Sequence, residues 1–215
     1  METLTRGILI SVEGIDGSGK STLANNLKKL LLKKEIPTLL TYEPGDSEIG
    51  KQLRSMLQER PTPISDKTEY LLYAADRAQH FENLIIPALK EKKMIISDRL
   101  HDSSVAYQGH GRGLDLELIN KVNHWAMQGV EPDLTLYIQL PIEIAVDRLK
   151  KRKGRPTSIE QEKETFTKKV INGFETIFAN RTNVLTLDGQ QDQQMLAKTA
   201  FANIMRFLKD KKLLK

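Results

Sequence analysis

Apolar positions along the chain fall into short β-rich runs separated by stretches of helical spacing. The first run is Ile8-Leu9-Ile10-Ser11-Val12, followed by a Gly-rich turn and then by Leu23, Leu27, Leu30 and Leu31 on one helix face. Pro37 closes that helix, and Thr38-Leu39-Leu40-Thr41-Tyr42 predicts a second strand before a turn at Pro44-Gly45. Ile49 to Leu57 reads as helix, and Pro61-Thr62-Pro63 interrupts it. Asp66 with Glu69 forms a capping pair that predicts a long helix running towards Lys92. Met94-Ile95-Ile96-Ser97-Asp98 is a buried-type third strand. Gly109-His110-Gly111-Arg112-Gly113 reads as a loop, and a helix follows it to about Met127. Leu134 to Gln139 predicts a fourth strand and Val184 to Leu187 a fifth, with helical patterns between and after them.

Strands alternating with helices predict an α/β protein. Its sheet is parallel and carries helices on both faces, because each parallel pair needs a right-handed crossover that packs back on the sheet. Ligands in such folds gather at the carboxyl ends of the strands. The length of 215 residues predicts one compact domain spanning 1–215. A formal net charge of +5 suits phosphate-bearing ligands as well as nucleic acid. The absence of cysteine excludes disulfides and thiolate metal sites and fits a reducing compartment. Met1 to Arg6 leads into a strand and not into an export signal, so a cytoplasmic location is expected. No apolar run approaches the roughly 20 residues needed to cross a bilayer, so no membrane association is expected.

The segment Gly14-Ile15-Asp16-Gly17-Ser18-Gly19-Lys20-Ser21-Thr22 carries the chemistry of a phosphate-binding loop between a strand and a helix. Its glycines let successive backbone N–H groups turn inward at a helix N-terminus and cradle an anion. Lys20 is expected to reach the β- and γ-phosphates of ATP. The Ser21 hydroxyl stands where Mg²⁺ takes one protein oxygen alongside phosphates and waters. Asp16 adds a carboxylate beside the cradle, where it would repel the donor unless an acceptor hydroxyl uses it.

Such a loop occurs in motors, GTPases and kinases alike, so the acceptor must be read elsewhere. Asp98-Arg99 follows the third strand directly, and an arginine fork suits phosphate. Ser103, Ser104, Tyr107 and Gln108 come next. Tyr73 and Arg77 stand four residues apart, which puts a ring and a fork on one helix face. Taken singly, Tyr73 would be core and Arg77 a solvated charge, and together they suggest a base platform.

At this point the chain resembles the thymidylate kinases, and their bacterial branch most. Six segments carry the likeness in order: Val12 to Thr22, Glu43-Pro44-Gly45, Leu72 to Arg77, Asp98-Arg99, Ala106 to Gly113 with its Tyr107-Gln108-Gly109 and Gly111-Arg112-Gly113, and Pro132 to Thr135. The resemblance implies a P-loop nucleoside monophosphate kinase fold, a five-stranded parallel sheet with helices on both faces and a short lid at about 150–158. The implied reaction is MgATP plus dTMP giving ADP plus dTDP, which feeds dTTP synthesis. A homodimer is also implied, with no nucleic-acid partner. Departures are Tyr42 where arginine is usual, Asp46-Ser47 for Gly-Thr, Tyr73 for phenylalanine, Leu100 for an aromatic or histidine, and Thr157-Ser158 for Asp-Arg.

Position by position, the resemblance implies that Asp16 accepts the 3′-hydroxyl of the deoxyribose, while Arg54 and Arg99 hold the 5′-phosphate. Tyr73 stacks on thymine, Arg77 donates to a base carbonyl, and Ser104, Tyr107 and Gln108 line the base pocket with Glu43 at its border. Gly17 stands where the eukaryotic branch tends to place an arginine, so transition-state charge is expected from the lid, from Arg152 or Arg155. Asp98 is expected to place Mg²⁺ through water. Two rival readings are a deoxynucleoside kinase, which needs a carboxylate base for a 5′-hydroxyl, and a P-loop ATPase or GTPase switch.

Overall fold

The computed structural model describes residues 3–60, 62–152 and 156–214. Five strands form one sheet: β1 (Ile8–Glu13), β2 (Thr38–Tyr42), β3 (Met94–Asp98), β4 (Leu134–Gln139) and β5 (Val184–Asp188). Their order is β2-β3-β1-β4-β5 and every pairing is parallel. Crossovers are supplied by α1 (Lys20–Leu32), α2 (Glu48–Glu59), α3 (Asp66–His80), α4 (Ile86–Lys90), α5 (His101–Ser104), α6 (Leu116–Ala126), α7 (Ile142–Lys151) and α8 (Glu164–Phe178), and α9 (Gln193–Asp210) follows β5.

The central strands are buried on both faces, which is why they read as mostly apolar runs instead of alternating ones. Ile8, Ile10 and Val12 pack with Leu23, Leu27 and Leu31 of α1 and with Ala200, Ile204 and Leu208 of α9. Leu9 and Ile95 face the other way, onto Phe81, Ile85 and Met127. On that second side Tyr107 and Tyr137 join Phe166, Val170, Phe174 and Phe178 in an aromatic cluster with α8. The same face also carries polar residues, with Ser11, Glu13 and Ser97 buried towards the carboxyl ends of β1 and β3 and Thr135 buried near the start of β4. Ser11 Oγ donates to Thr135 Oγ1 at 3.0 Å.

Two sequence expectations need correction. The cap of α3 is Ser65, whose Oγ accepts from the Thr68 N–H, and not the pair Asp66 and Glu69. Glu69 points inward, is 1% exposed, and takes ion pairs from Arg60 and Arg112. A buried carboxylate met by two guanidiniums outweighs a capping role on the surface. The Gly109–Gly113 stretch is likewise not a loop at its start. Val105–Gly111 continues α5 as a π-helical turn, packed so closely on α8 that a Cβ on Gly111 would lie 2.7 Å from the Phe166 ring. The long helix expected from Asp66 ends at Lys90 and contains a π-helical turn at Phe81–Ile85.

Candidate active site

The carboxyl ends of β1 and β3 open into a cavity of about 1020 Å³. β1 ends at Glu13 and the chain turns at Gly14 into the loop that leads to α1. Gly17 has φ +83°, and a Cβ there would lie 2.6 Å from the Ala145 carbonyl oxygen. A side chain at that position is therefore strained and crowded, which disfavours an arginine there. α1 starts without a side-chain cap and without an acidic residue in its first turn, so its positive end is left for an anion.

Lys20 lies at the base of this cradle, 6% exposed, with Nζ donating to the Ile15 carbonyl at 2.9 Å and 4.0 Å from Asp16 Oδ1. Burial, then repulsion from Arg99, pushes its pKa down to about 8, against the pull of Asp16. Ser21 Oγ donates to Asp98 Oδ2, so the residues expected at a magnesium site meet at the ends of α1 and β3. The two side chains present hard oxygens of the kind that suit Mg²⁺. Among the described residues no cluster of three or more His, Cys, Asp or Glu could hold a metal unaided.

Arg99 occupies the middle of the site. Its backbone sits at φ +75°, anchored by its N–H to the Val12 carbonyl at 3.0 Å. Nη1 donates to the Gly14 carbonyl at 3.0 Å and to Ser103 Oγ at 2.9 Å. Nη2 donates to Asp16 Oδ1 at 2.6 Å and to the Tyr107 hydroxyl at 3.3 Å. Burial alone would raise the Asp16 pKa, yet Arg99 and Lys20 outweigh it and hold the carboxyl down to about 2. Tyr107 also donates to Asp16 Oδ2 at 3.2 Å, and burial raises its own pKa.

The far wall carries the remaining expected residues. Tyr73 lines the cavity and Arg77 reaches it from one helical turn further on. Arg77 is 1% exposed. Nε donates to Glu43 Oε2 at 2.9 Å, and Nη1 donates to Asn123 Oδ1 at 2.7 Å and to Ser104 Oγ at 3.2 Å. Glu43 also meets His80 Nδ1 at 2.9 Å. Burial would raise the pKa of Glu43, but Arg77 and His80 bring it below its ordinary value. Glu43 and Ser104 thus orient Arg77 as well as lining the wall. Gln108 Nε2 donates to Glu69 Oε1 at 2.8 Å. Arg54 donates to the Pro44 carbonyl at 2.6 Å and stacks at 5.5 Å over Tyr42, so the unusual Tyr42 supports an expected phosphate ligand.

At the lid, Arg152 lines the cavity and pairs with Glu160 at 2.7 Å. Ser158 Oγ donates to the Leu57 carbonyl at 2.7 Å, and Thr157 N–H donates to Glu160 Oε2 at 2.9 Å. Arg155 lies outside the described residues. Sequence reasoning missed Arg148, whose Nη2 donates to the Gly189 carbonyl at 2.8 Å and which lines the donor end with Gln191, Gln193 and Leu196. It stands in a basic helical stretch that reads as solvated charge. Glu13 and Glu69 were missed too, because nothing in a sequence distinguishes an inward-facing glutamate from a surface one.

The sequence profile of the family described as thymidylate kinase matches residues 12–199. A thymidylate kinase of Halothermothrix orenii is 38% identical over 201 residues, covering 93% of this chain and 97% of the relative. One from Carboxydothermus hydrogenoformans is 43% identical over 169 residues, covering 79% and 83%. One from Lactobacillus helveticus is 39% identical over 209 residues, covering 94% and 98%.

Proposed function

The chain belongs to the thymidylate kinase family and phosphorylates dTMP to dTDP with ATP as donor, and we propose that Arg99 and Asp16 are where its donor and acceptor sites join. The loop from Gly14 to Thr22 binds the ATP phosphates, with Lys20 on the β- and γ-phosphates. Ser21 and Asp98 would hold Mg²⁺, which would supply neutralisation of the phosphate charge. Arg99 and Arg54 hold the 5′-phosphate of dTMP, Asp16 accepts its 3′-hydroxyl, and Tyr73 stacks on thymine beside Arg77, Ser104, Tyr107 and Gln108.

One oxygen of the dTMP phosphate attacks the γ-phosphorus in line. The new O–P bond forms as the bond to the β-phosphate oxygen breaks and ADP leaves. A phosphate monoester has a second pKa near about 6, so the nucleophile is already ionised and no general base is needed. Catalysis is then positioning and charge neutralisation. The crowding at Gly17 supports a lid arginine, Arg152 or Arg155, as the supplier of transition-state charge.

Leu71 on α3 and Leu118 and Trp125 on α6 are exposed, on helices joined where the Tyr70 hydroxyl donates to the Ile119 carbonyl at 2.9 Å. This apolar face supports a homodimer in which a second copy covers it. Among the described residues no helix is long and apolar enough to cross a membrane. The cysteine-free composition fits the reducing conditions of a cytoplasmic location, and the single five-stranded sheet fits one catalytic domain over residues 1–215.

The observation that carries the site assignment is the Arg99 guanidinium, bonded at once to the donor-loop backbone and to Asp16. Steady-state kinetics of Arg99→Ala test it. Turnover is nearly abolished while the fold survives, and normal kinetics with dTMP would remove Arg99 from the acceptor site.

A further inference from the structure

Glu13 is the last residue of β1, fully buried, and it directly precedes the first glycine of the phosphate loop. Both its carboxylate oxygens are used by one neighbouring turn. Oε1 accepts from the Leu100 N–H at 2.7 Å, and Oε2 accepts from the Ser103 hydroxyl at 2.6 Å. The Ser103 oxygen in turn accepts from Arg99 Nη1 at 2.9 Å. Glu13 therefore grips the acceptor arginine from two directions, by the backbone immediately after it and by the side chain that takes one of its N–H groups.

The chain reverses at Arg99 with a left-handed backbone, a conformation that a residue with a Cβ adopts only when its surroundings compel it. Three contacts compel it: the Arg99 N–H to the Val12 carbonyl, the Leu100 N–H to Glu13, and the Ser97 hydroxyl to the Arg99 carbonyl at 2.7 Å. The first two come from the end of β1. A carboxylate can only accept, so while Glu13 is ionised the single Ser103 proton is drawn towards it and the serine lone pairs are left facing Arg99. Neutral isosteres would not dictate that order.

We infer that Glu13 is a positioning residue for dTMP phosphorylation, setting the Arg99 guanidinium through Leu100 and Ser103 without touching either nucleotide. This rests on the reading of Arg99 as an acceptor-phosphate ligand. The cost of the arrangement is visible in the environment of Glu13. Burial, then repulsion from Asp102 on α5, pushes its pKa up to about 8, against Ser103, Arg99 and the Leu100 N–H. Asp102 is itself held by Arg181 at 2.7 Å, and Lys20 adds a positive charge from the start of α1. A buried acid kept in such surroundings does not serve stability best.

The test compares Glu13→Gln, Ser103→Ala and the double variant by steady-state kinetics with each nucleotide varied in turn. Glutamine keeps the size and one acceptor, and is expected to fold with a melting temperature near that of the parent protein. Measured above pH 8, where the Glu13 carboxylate is ionised, loss of one hydrogen bond to it predicts a KM for dTMP raised about tenfold, with the KM for ATP changed less than about twofold. If Glu13 acts through Ser103, the double variant is no worse than the poorer single one. Equal effects on both nucleotides, multiplying effects in the double variant, or parental kinetics in Glu13→Gln would overturn the inference. Arg99→Ala is measured alongside. Parental kinetics in Glu13→Gln with dTMP binding lost in Arg99→Ala would sink the Glu13 role alone. Unchanged dTMP kinetics in Arg99→Ala would sink the acceptor reading and this inference with it.

Discussion

Arg99 Nη2 lies 2.6 Å from Asp16 Oδ1, so a residue at the end of β3 is ion-paired with a residue inside the phosphate loop. The pair explains how a carboxylate can stand beside a phosphate cradle. Its charge is balanced by Arg99 and Lys20, which together bring its pKa down to about 2 against the effect of burial. It also ties the phosphate loop to Arg99, the proposed acceptor ligand, which would lower the ordering needed for transfer.

Asp16→Asn removes the charge and keeps the shape. Loss of a charge-assisted hydrogen bond to a sugar hydroxyl predicts about tenfold weaker dTMP binding, with a smaller effect on ATP. Calorimetric titration of each nucleotide separately checks this, and equal weakening of both would argue against a sugar contact.

Lys20 is held charged in a poor environment, so function and stability oppose each other there. Its folded pKa is lowered from 10.5 to about 8. For a base, a lowered folded pKa means that charging disfavours the native state. The penalty is fully present below about pH 8 and fades as the pH rises towards 10.5. Lys20→Met should therefore stabilise the nucleotide-free protein at pH 7 by about 1–3 kcal/mol, a gain that shrinks above pH 8. It should also lower kcat by about 10²–10³ or more. Thermal melts across pH together with kcat measure both, and a variant less stable at pH 7 would contradict the account.

Trp125 is 78% exposed on α6, and Leu118 lies on the same helix face two turns earlier. Burying a large aromatic against a second copy makes it an anchor of the interface. Trp125→Glu is expected to convert a dimer into monomers by sedimentation equilibrium at micromolar concentration. An unchanged dimer would place the interface elsewhere.

All five strands were legible from the sequence, because strands of a parallel sheet packed between helices read as short, mostly apolar or β-branched runs, and Gly or Pro lies close to most of them. The phosphate loop was equally plain, since its backbone geometry demands glycine at fixed spacing. What could not be read was the direction of polar side chains. Glu69 matched a capping pattern but serves as a buried counter-ion, and Val105–Gly111 had loop composition but packs as a π-helical turn on α8. Glu43 was placed at the border of the base site, and its ion pair with Arg77 at 2.8 Å depends on tertiary contacts that no local pattern encodes. Arg148 was hidden among neighbours that do point to solvent.

The central claim is that this cavity passes the γ-phosphoryl group of ATP to the phosphate of dTMP. A coupled assay of ADP formation, run with thymidine and a panel of nucleoside monophosphates, tests it most directly. The account predicts rapid ADP formation with dTMP, little with thymidine or with purine monophosphates, and none without an acceptor. Faster turnover with thymidine, or ADP and phosphate release with no acceptor present, would contradict it.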